Sequence, residues 1–169
     1  MQLDTIRTKR LLLIVMMCSS VFIADRATKE LSRHFMMGKP ASQAVAIMPG
    51  LLYISHSEND AGFMGFMTGL PAKAKPLFFS LSTLAFSALL VYLIIRFNAN
   101  QSSSISTALS LILAGIISNG FDRIAYGAVI DCAVVARPFA FGFNIADIAI
   151  FAGWVMFVFY LFKARCDTR

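Results

Sequence analysis

Four aspartates, Asp25, Asp122, Asp131 and Asp147, lie inside or beside long uncharged stretches of a 169-residue chain. A charged side chain in hydrocarbon costs about 2.5–3.5 kcal/mol on insertion scales, so each of them needs a partner or a task. Asp131 and Asp147 make the most informative pair. Two carboxylates brought together in a low-dielectric site cannot both ionise easily, so one keeps its proton while the other acts as a base. Such a pair can draw a proton from water and deliver one to an amide nitrogen, which is the acid–base work of peptide hydrolysis. The stretch between them reads as a loop, ending in ARPFAFGFN, that folds one carboxylate over the other.

The remaining polar residues group by helical spacing. Asp25 and Lys29 are four apart and stack on one helix face; the plain structural alternative is a helix-end ion pair that fixes depth. Asn119, Asp122 and Arg123 also share one face. Polar glue that orders the helix bundle is the favoured reading for them, with Arg123 also free to hold a backbone carbonyl or a lipid phosphate. Asn144 and Asp147, three apart, stand where a last apolar segment begins, and a carboxylate there is favoured by the helix dipole.

Other hydrolytic chemistries find less support. GxSxG and SxxK are absent, no lysine occupies the core of a span, and His34 and His56 stand apart from each other and outside the spans. Cys18, Cys132 and Cys166 have neither disulfide nor metal spacing. A serine protease and a zinc enzyme are both disfavoured.

These residues must be positioned by membrane helices. The chain is 58% hydrophobic and 14% charged, against roughly 45–50% and about 25% for a soluble domain. A spanning helix needs about 20 mostly apolar residues. Spans are expected at approximately 11–31, 76–96, 105–123 and 143–163 of a single integral membrane domain covering 1–169. A basic start followed by LLLIVMMCSSVFIA resembles a signal peptide, but the run ends in ADRATKE without a cleavage site, so a retained helix is expected. Four spans put both termini on one side. Arg7, Lys9, Arg10, Arg96, Lys163, Arg165 and Arg169 place that side in the cytoplasm, and the four aspartates then share the opposite face. The outer loop, approximately 33–75, carries two short runs around Pro49–Gly50 that read as a small sheet or hairpin, followed by an interfacial stretch, Gly62 to Gly69. Net charge is +6, and no Lys/Arg run exceeds Lys9–Arg10, so a nucleic-acid partner is not expected.

In this order, five blocks resemble bacterial lipoprotein signal peptidase, or signal peptidase II: DRATK (25–29), SENDAGFMGF (57–66), SNGFDR (118–123), VID (129–131) and FNIAD (143–147). The resemblance covers nearly the whole chain. It implies an all-α membrane protein of four transmembrane helices, with a small β-cradle and a short surface helix in the first outer loop. The implied activity is that of an intramembrane aspartic endopeptidase in the bacterial inner membrane. It would act as a monomer among membrane lipids, cleaving prolipoprotein signal peptides before the diacylglyceryl-modified cysteine. By position, Asp131 and Asp147 correspond to the catalytic pair. Asp25, Lys29, Asn59, Asn119, Asp122, Arg123, Asn144 and Ala146 correspond to supporting and substrate-binding positions. No metal or organic cofactor is implied.

Some positions depart from the family pattern. The glycine expected two residues after Asn59 comes one later, Asp60 adds a charge, Gly120 replaces a leucine, and Cys132 replaces a phenylalanine. These changes are expected to alter the pocket walls and the substrate range. Two other functions compete: a small proton-coupled transporter, expected to have inverted repeats or broken helices, and a non-catalytic scaffold whose carboxylates only pair helices.

Overall fold

The computed structural model describes residues 2–40, 43–60, 69–99, 103–136 and 140–167, with the side chains of 2–7, 98–99, 103 and 167 left aside. Among the described residues, four helices, α1 (Gln2–Met36), α2 (Lys75–Ala99), α3 (Ser103–Tyr126) and α4 (Ile145–Asp167), and four strands, β1 (Val45–Met48), β2 (Leu52–Asn59), β3 (Val129–Val135) and β4 (Phe141–Phe143), follow in the order α1-β1-β2-α2-α3-β3-β4-α4. Each helix contains a window long and apolar enough to cross a membrane: Thr8–Met36, Lys75–Phe97, Ser104–Tyr126 and Ile145–Cys166.

Pro76 stands in the first turn of α2, where its missing N–H leaves no helical bond unmade. The chain presents no breaker after Lys29 until Gly38, which takes φ +77° as α1 ends. Asp25 and Lys29 therefore lie well inside a helix that continues to Met36. They do not mark its end, which removes the helix-end reading of that pair.

The strands form one antiparallel sheet in the order β1-β2-β3-β4. Pro49–Gly50 turns β1 into β2, with Gly50 at φ +80°. The stretch between α3 and α4, expected to be a loop, supplies the other half of the sheet. Its β-branched run Val129–Val135 pairs with β2, Ser57 facing Asp131 and Asn59 facing Val129. Hydrogen bonding to a neighbouring strand fixes the backbone of Asp131 far more closely than a loop does. The expected surface helix falls largely on residues 61–68, outside the described residues.

α3 is the central helix, packing on α1, α2 and α4. At its first half, Ile105, Leu109, Ile112 and Leu113 form the apolar core with Leu90 and Ile94 of α2. Between α3 and α4 the contact is closer still. A Cβ on Gly153 would fall 2.6 Å from the Ala108 carbonyl oxygen and 2.6 Å from Ile112 Cγ1; one on Gly115 would fall 2.4 Å from the Ala146 carbonyl oxygen. Small residues at such crossings let helix backbones approach, since lipid tails offer no hydrophobic drive for association.

Gly153→Val forces these backbones apart at a point remote from the aspartates. Overpacking of this kind costs about 1–3 kcal/mol, so thermal unfolding in detergent micelles should move to lower temperature. An unchanged midpoint is incompatible with the close crossing.

Candidate active site

The first turn of α4 holds Asp147 in place. Asn144 is the N-cap: its side-chain oxygen accepts the Asp147 N–H at 2.9 Å, and Asp147 Oδ2 accepts the Asn144 N–H at 3.2 Å. This reciprocal pairing is a capping box made from Asn and Asp. The Ala146 N–H, another amide without a helical acceptor, donates to Asp25 Oδ1 at 2.9 Å. Two carboxylates thus sit at the positive end of α4, where the macrodipole favours them.

Asn144 also reaches the second strand pair. Its Nδ2 donates to the Ile130 carbonyl at 3.1 Å and to Asp131 Oδ1 at 3.2 Å. One asparagine therefore binds both Asp131 and Asp147. Asn59, at the end of β2, adds a side-chain hydrogen bond to Asp131. Asp131 is 4% exposed, whereas Asp147 is half-buried. Burial first, and then the charge of Asp147, lift the Asp131 carboxyl from the ordinary carboxylate range to about 6, against the opposing pull of Asn144, Lys29 and Asn59. The two carboxyls are thus within electrostatic reach of each other.

Below them lies a buried ionic hub. Lys29 is 0% exposed, and its ammonium reaches Asp25 Oδ2 at 2.6 Å, Asp122 Oδ2 at 2.7 Å and Asn119 Oδ1 at 2.9 Å. An ammonium has three donors, and all three are used. Asn119 passes the contact on, donating from Nδ2 to Asp147 Oδ1 at 2.8 Å. Asp122 Oδ2 accepts the Ile130 N–H at 3.2 Å, one residue before Asp131, and Asp122 Oδ1 pairs with Arg26. Ser118 donates to Asp25 Oδ2 at 2.6 Å. Arg123 stacks 4.5 Å over the Phe79 ring of α2, within electrostatic range of Asp122, Asp131 and Asp147.

Nine of the expected site residues (Asp131, Asp147, Asp25, Lys29, Asn59, Asn119, Asp122, Asn144 and Ala146) are joined in this single network, and Arg123 flanks it. The expectation that no lysine enters a span core fails at Lys29, which two carboxylates hold inside α1. Gly120 does not line the pocket. A Cβ there would meet Thr83 Cγ2 at 2.3 Å, so Gly120 serves the contact between α2 and α3. Cys132 Sγ turns toward the Phe143 carbonyl at 4.0 Å, within the β3–β4 pair. Asp60 pairs with Lys75 at 2.9 Å on the surface. Sequence reasoning missed Ser118 and Arg26. Both sit next to residues it named, and Ser118 shares the Asp122 face at a spacing of four.

A carboxyl raised to about 6 destabilises the folded chain once it ionises. The folded state then binds the proton more tightly than the unfolded one, so this contribution to stability is present at acid pH and is lost as pH rises through about 6. Asp131→Asn, which keeps an acceptor for Asn144, removes that penalty and should stabilise the protein above pH 7 by on the order of 1–3 kcal/mol. In carboxyl-labelled wild-type protein the Asp131 midpoint should lie about 6 and fall in Asp147→Asn. A midpoint unmoved by that substitution removes the electrostatic coupling.

Residues 17–163 match the family described as signal peptidase (SPase) II. The chain is 31% identical over 153 residues to the lipoprotein signal peptidase of Syntrophus aciditrophicus (strain SB), covering 89% of this chain and 92% of that one. It is 32% identical over 149 residues to the lipoprotein signal peptidase of Pseudomonas fluorescens (strain Pf0-1), covering 86% and 84%. Among solved structures, two bacterial membrane enzymes share the fold. One has a TM-score of 0.78 at 24% identity over 93% of this chain and 92% of that chain; the other has 0.74 at 25% identity over 89% and 93%. The chain belongs to the signal peptidase II family, bacterial multi-pass membrane proteases that remove signal peptides from lipoproteins.

Proposed function

We propose that this protein is an aspartic endopeptidase that cleaves prolipoproteins immediately before the diacylglyceryl-modified cysteine, with Asp131 and Asp147 as the catalytic pair. The observation that carries this reading is the placement of both carboxyls on one asparagine, Asn144, at the edge of a membrane helix. Water bound between the carboxyls gives a proton to the ionised one as its oxygen attacks the scissile carbonyl. The protonated one supplies a hydrogen bond to the developing oxyanion, and a proton then passes to the leaving amide nitrogen. Half-buried Asp147 is the side from which water and substrate enter, while buried Asp131, tied to β3, forms the floor.

Lys29 is not the base of an alternative mechanism. Its three donors are occupied by Asp25, Asp122 and Asn119. Neither is a proton-coupled transporter favoured, since each of the four helices runs unbroken over its described length. The basic residues toward the termini and Arg96 in the last turn of α2 favour both ends in the cytoplasm and the dyad near the outer face. In that orientation the signal helix packs in the membrane and the acyl chains stay in lipid. The scissile bond is held at the interface, and the orientation this imposes lowers the barrier to an otherwise slow hydrolysis. The protein works as a monomer surrounded by membrane lipids, without a metal or organic cofactor.

The test uses purified protein in lipid with a diacylglyceryl-modified prolipoprotein, and product is read by mass. Asp131→Asn and Asp147→Asn should each lower turnover by at least the roughly 10²–10⁴-fold expected for one acid–base group, while remaining folded and inserted. The same peptide without its diacylglyceryl group should be cut poorly. Cleavage at wild-type rate by either variant returns the carboxylates to a helix-pairing role.

A further inference from the structure

Arg26 directs its guanidinium into the ionic hub. Its Nη2 pairs with Asp122 Oδ1 and lies 3.6 Å from Asp25 Oδ2, and the group sits 5.1 Å over the Phe121 ring. The side chain is 15% exposed, so the pair is weakly screened. Nε and Nη1 are buried and have no hydrogen-bond partner among the described residues. Leaving buried donors unmade is costly, and apolar side chains pack without that cost. What this residue contributes is charge.

Asp122 is where that charge matters. Its Oδ2 holds the Ile130 N–H beside Asp131, and it also holds Lys29, which leads through Asn119 to Asp147. One carboxylate thus fixes both members of the dyad. Without Arg26, the single ammonium of Lys29 faces Asp25 and Asp122 together. With its Oδ1 no longer paired to the guanidinium, Asp122 is free to turn away from the Ile130 N–H and from Lys29.

We propose that Arg26 is a positioning residue for the reaction: by pairing Asp122 Oδ1 it holds Asp122 on Ile130 and Lys29, which fixes Asp131 and Asp147, and it places a positive charge beside the dyad. The inference rests on the Asp131–Asp147 reading. The ionisable groups concerned are Asp25 and Lys29 on α1, Asp122 and Arg123 on α3, Asp131 on β3 and Asp147 on α4. Of the nearby others, Glu30 and Arg33 engage Tyr126, and His56 engages Ser32.

The pH–rate profile of cleavage by the full chain in lipid tests this. Arg26→Gln should lower kcat about tenfold with little change in KM. It should also move both limbs to higher pH by roughly 0.5–1 unit, less than the 1–3 units that a directly contacting charge produces. Arg26→Lys, which keeps the charge but not the guanidinium fork, should hold the profile in place and retain most of the rate. An unshifted profile in Arg26→Gln, or an equal loss in both variants, rules the proposal out. If Arg26→Gln does not fold, Arg26→Lys decides alone. A displaced profile, or a rate below about a tenth of wild type (some 1.4 kcal/mol), refutes it. Retained cleavage by Asp131→Asn or Asp147→Asn instead removes the dyad itself. Loss in those two with an unshifted Arg26→Gln profile removes only the role of Arg26.

Discussion

Charge neutrality in a medium that solvates charge poorly is the constraint on which the rest of this structure depends. Asp25, Asp122, Asp131 and Asp147 meet Arg26, Lys29 and Arg123, so four carboxyls face three cations. An isolated buried charge is expensive, and a buried group without a partner changes its protonation instead. The composition of the cluster therefore favours one retained proton. On the proposed reading that proton belongs to the Asp131–Asp147 pair, since Asp25 and Asp122 are the carboxyls in direct contact with Lys29 and Arg26. A single proton on a carboxylate pair is the state that acid–base hydrolysis needs. In the proposed mechanism, the same balance that allows the helices to associate also prepares the reaction.

The geometry follows from where secondary structure leaves backbone groups unpaired. A helix N-terminus has N–H groups without acceptors, and the start of α4 supplies them to Asp147 and Asp25. The end of α3 supplies Asn119 and Asp122, and β3 supplies the Ile130 N–H. Close packing brings these ends together. Gly115 allows the backbone of α3 to approach the Ala146 carbonyl, within the turn of α4 that carries Asp147. Small residues at the crossing and polar residues one turn beyond are two parts of one arrangement.

Much of this is legible in the sequence, for physical reasons that differ between parts. Uncharged runs of spanning length reveal helices because lipid tolerates little else. Helical spacing puts Asn119 with Asp122 and Asn144 with Asp147, and both groupings hold in the hub. The strand character of Val129–Val135 was harder to read. Its β-branched residues are interrupted by Asp131 and Cys132, and its partner β2 lies about 70 residues earlier in the chain, beyond the reach of local pattern. Arg26 and Ser118 were hidden by their company. An arginine beside an aspartate near a membrane surface reads as a solvated charge, and only tertiary contact turns it inward. Gly120 illustrates the converse error: proximity in sequence to Asn119 suggested the pocket, but adjacent helical residues point about 100° apart, and Gly120 faces α2.

Lys29 gives the physical reason why the proposed mechanism uses carboxyls rather than a serine–lysine pair. A lysine base must lose its proton, which requires a setting poor in anions. Here the ammonium is enclosed by two carboxylates and an amide oxygen, an arrangement that uses every donor for structure. Ser118 is fully buried and donates to Asp25, so its hydroxyl belongs to the hub and is closed off from a substrate. With Lys29 committed to holding α1 against α3, the proposed mechanism assigns acid–base work to the carboxyls above it. Asn119 and Asn144, which carry no charge, orient those carboxyls without adding to the charge balance of the cluster.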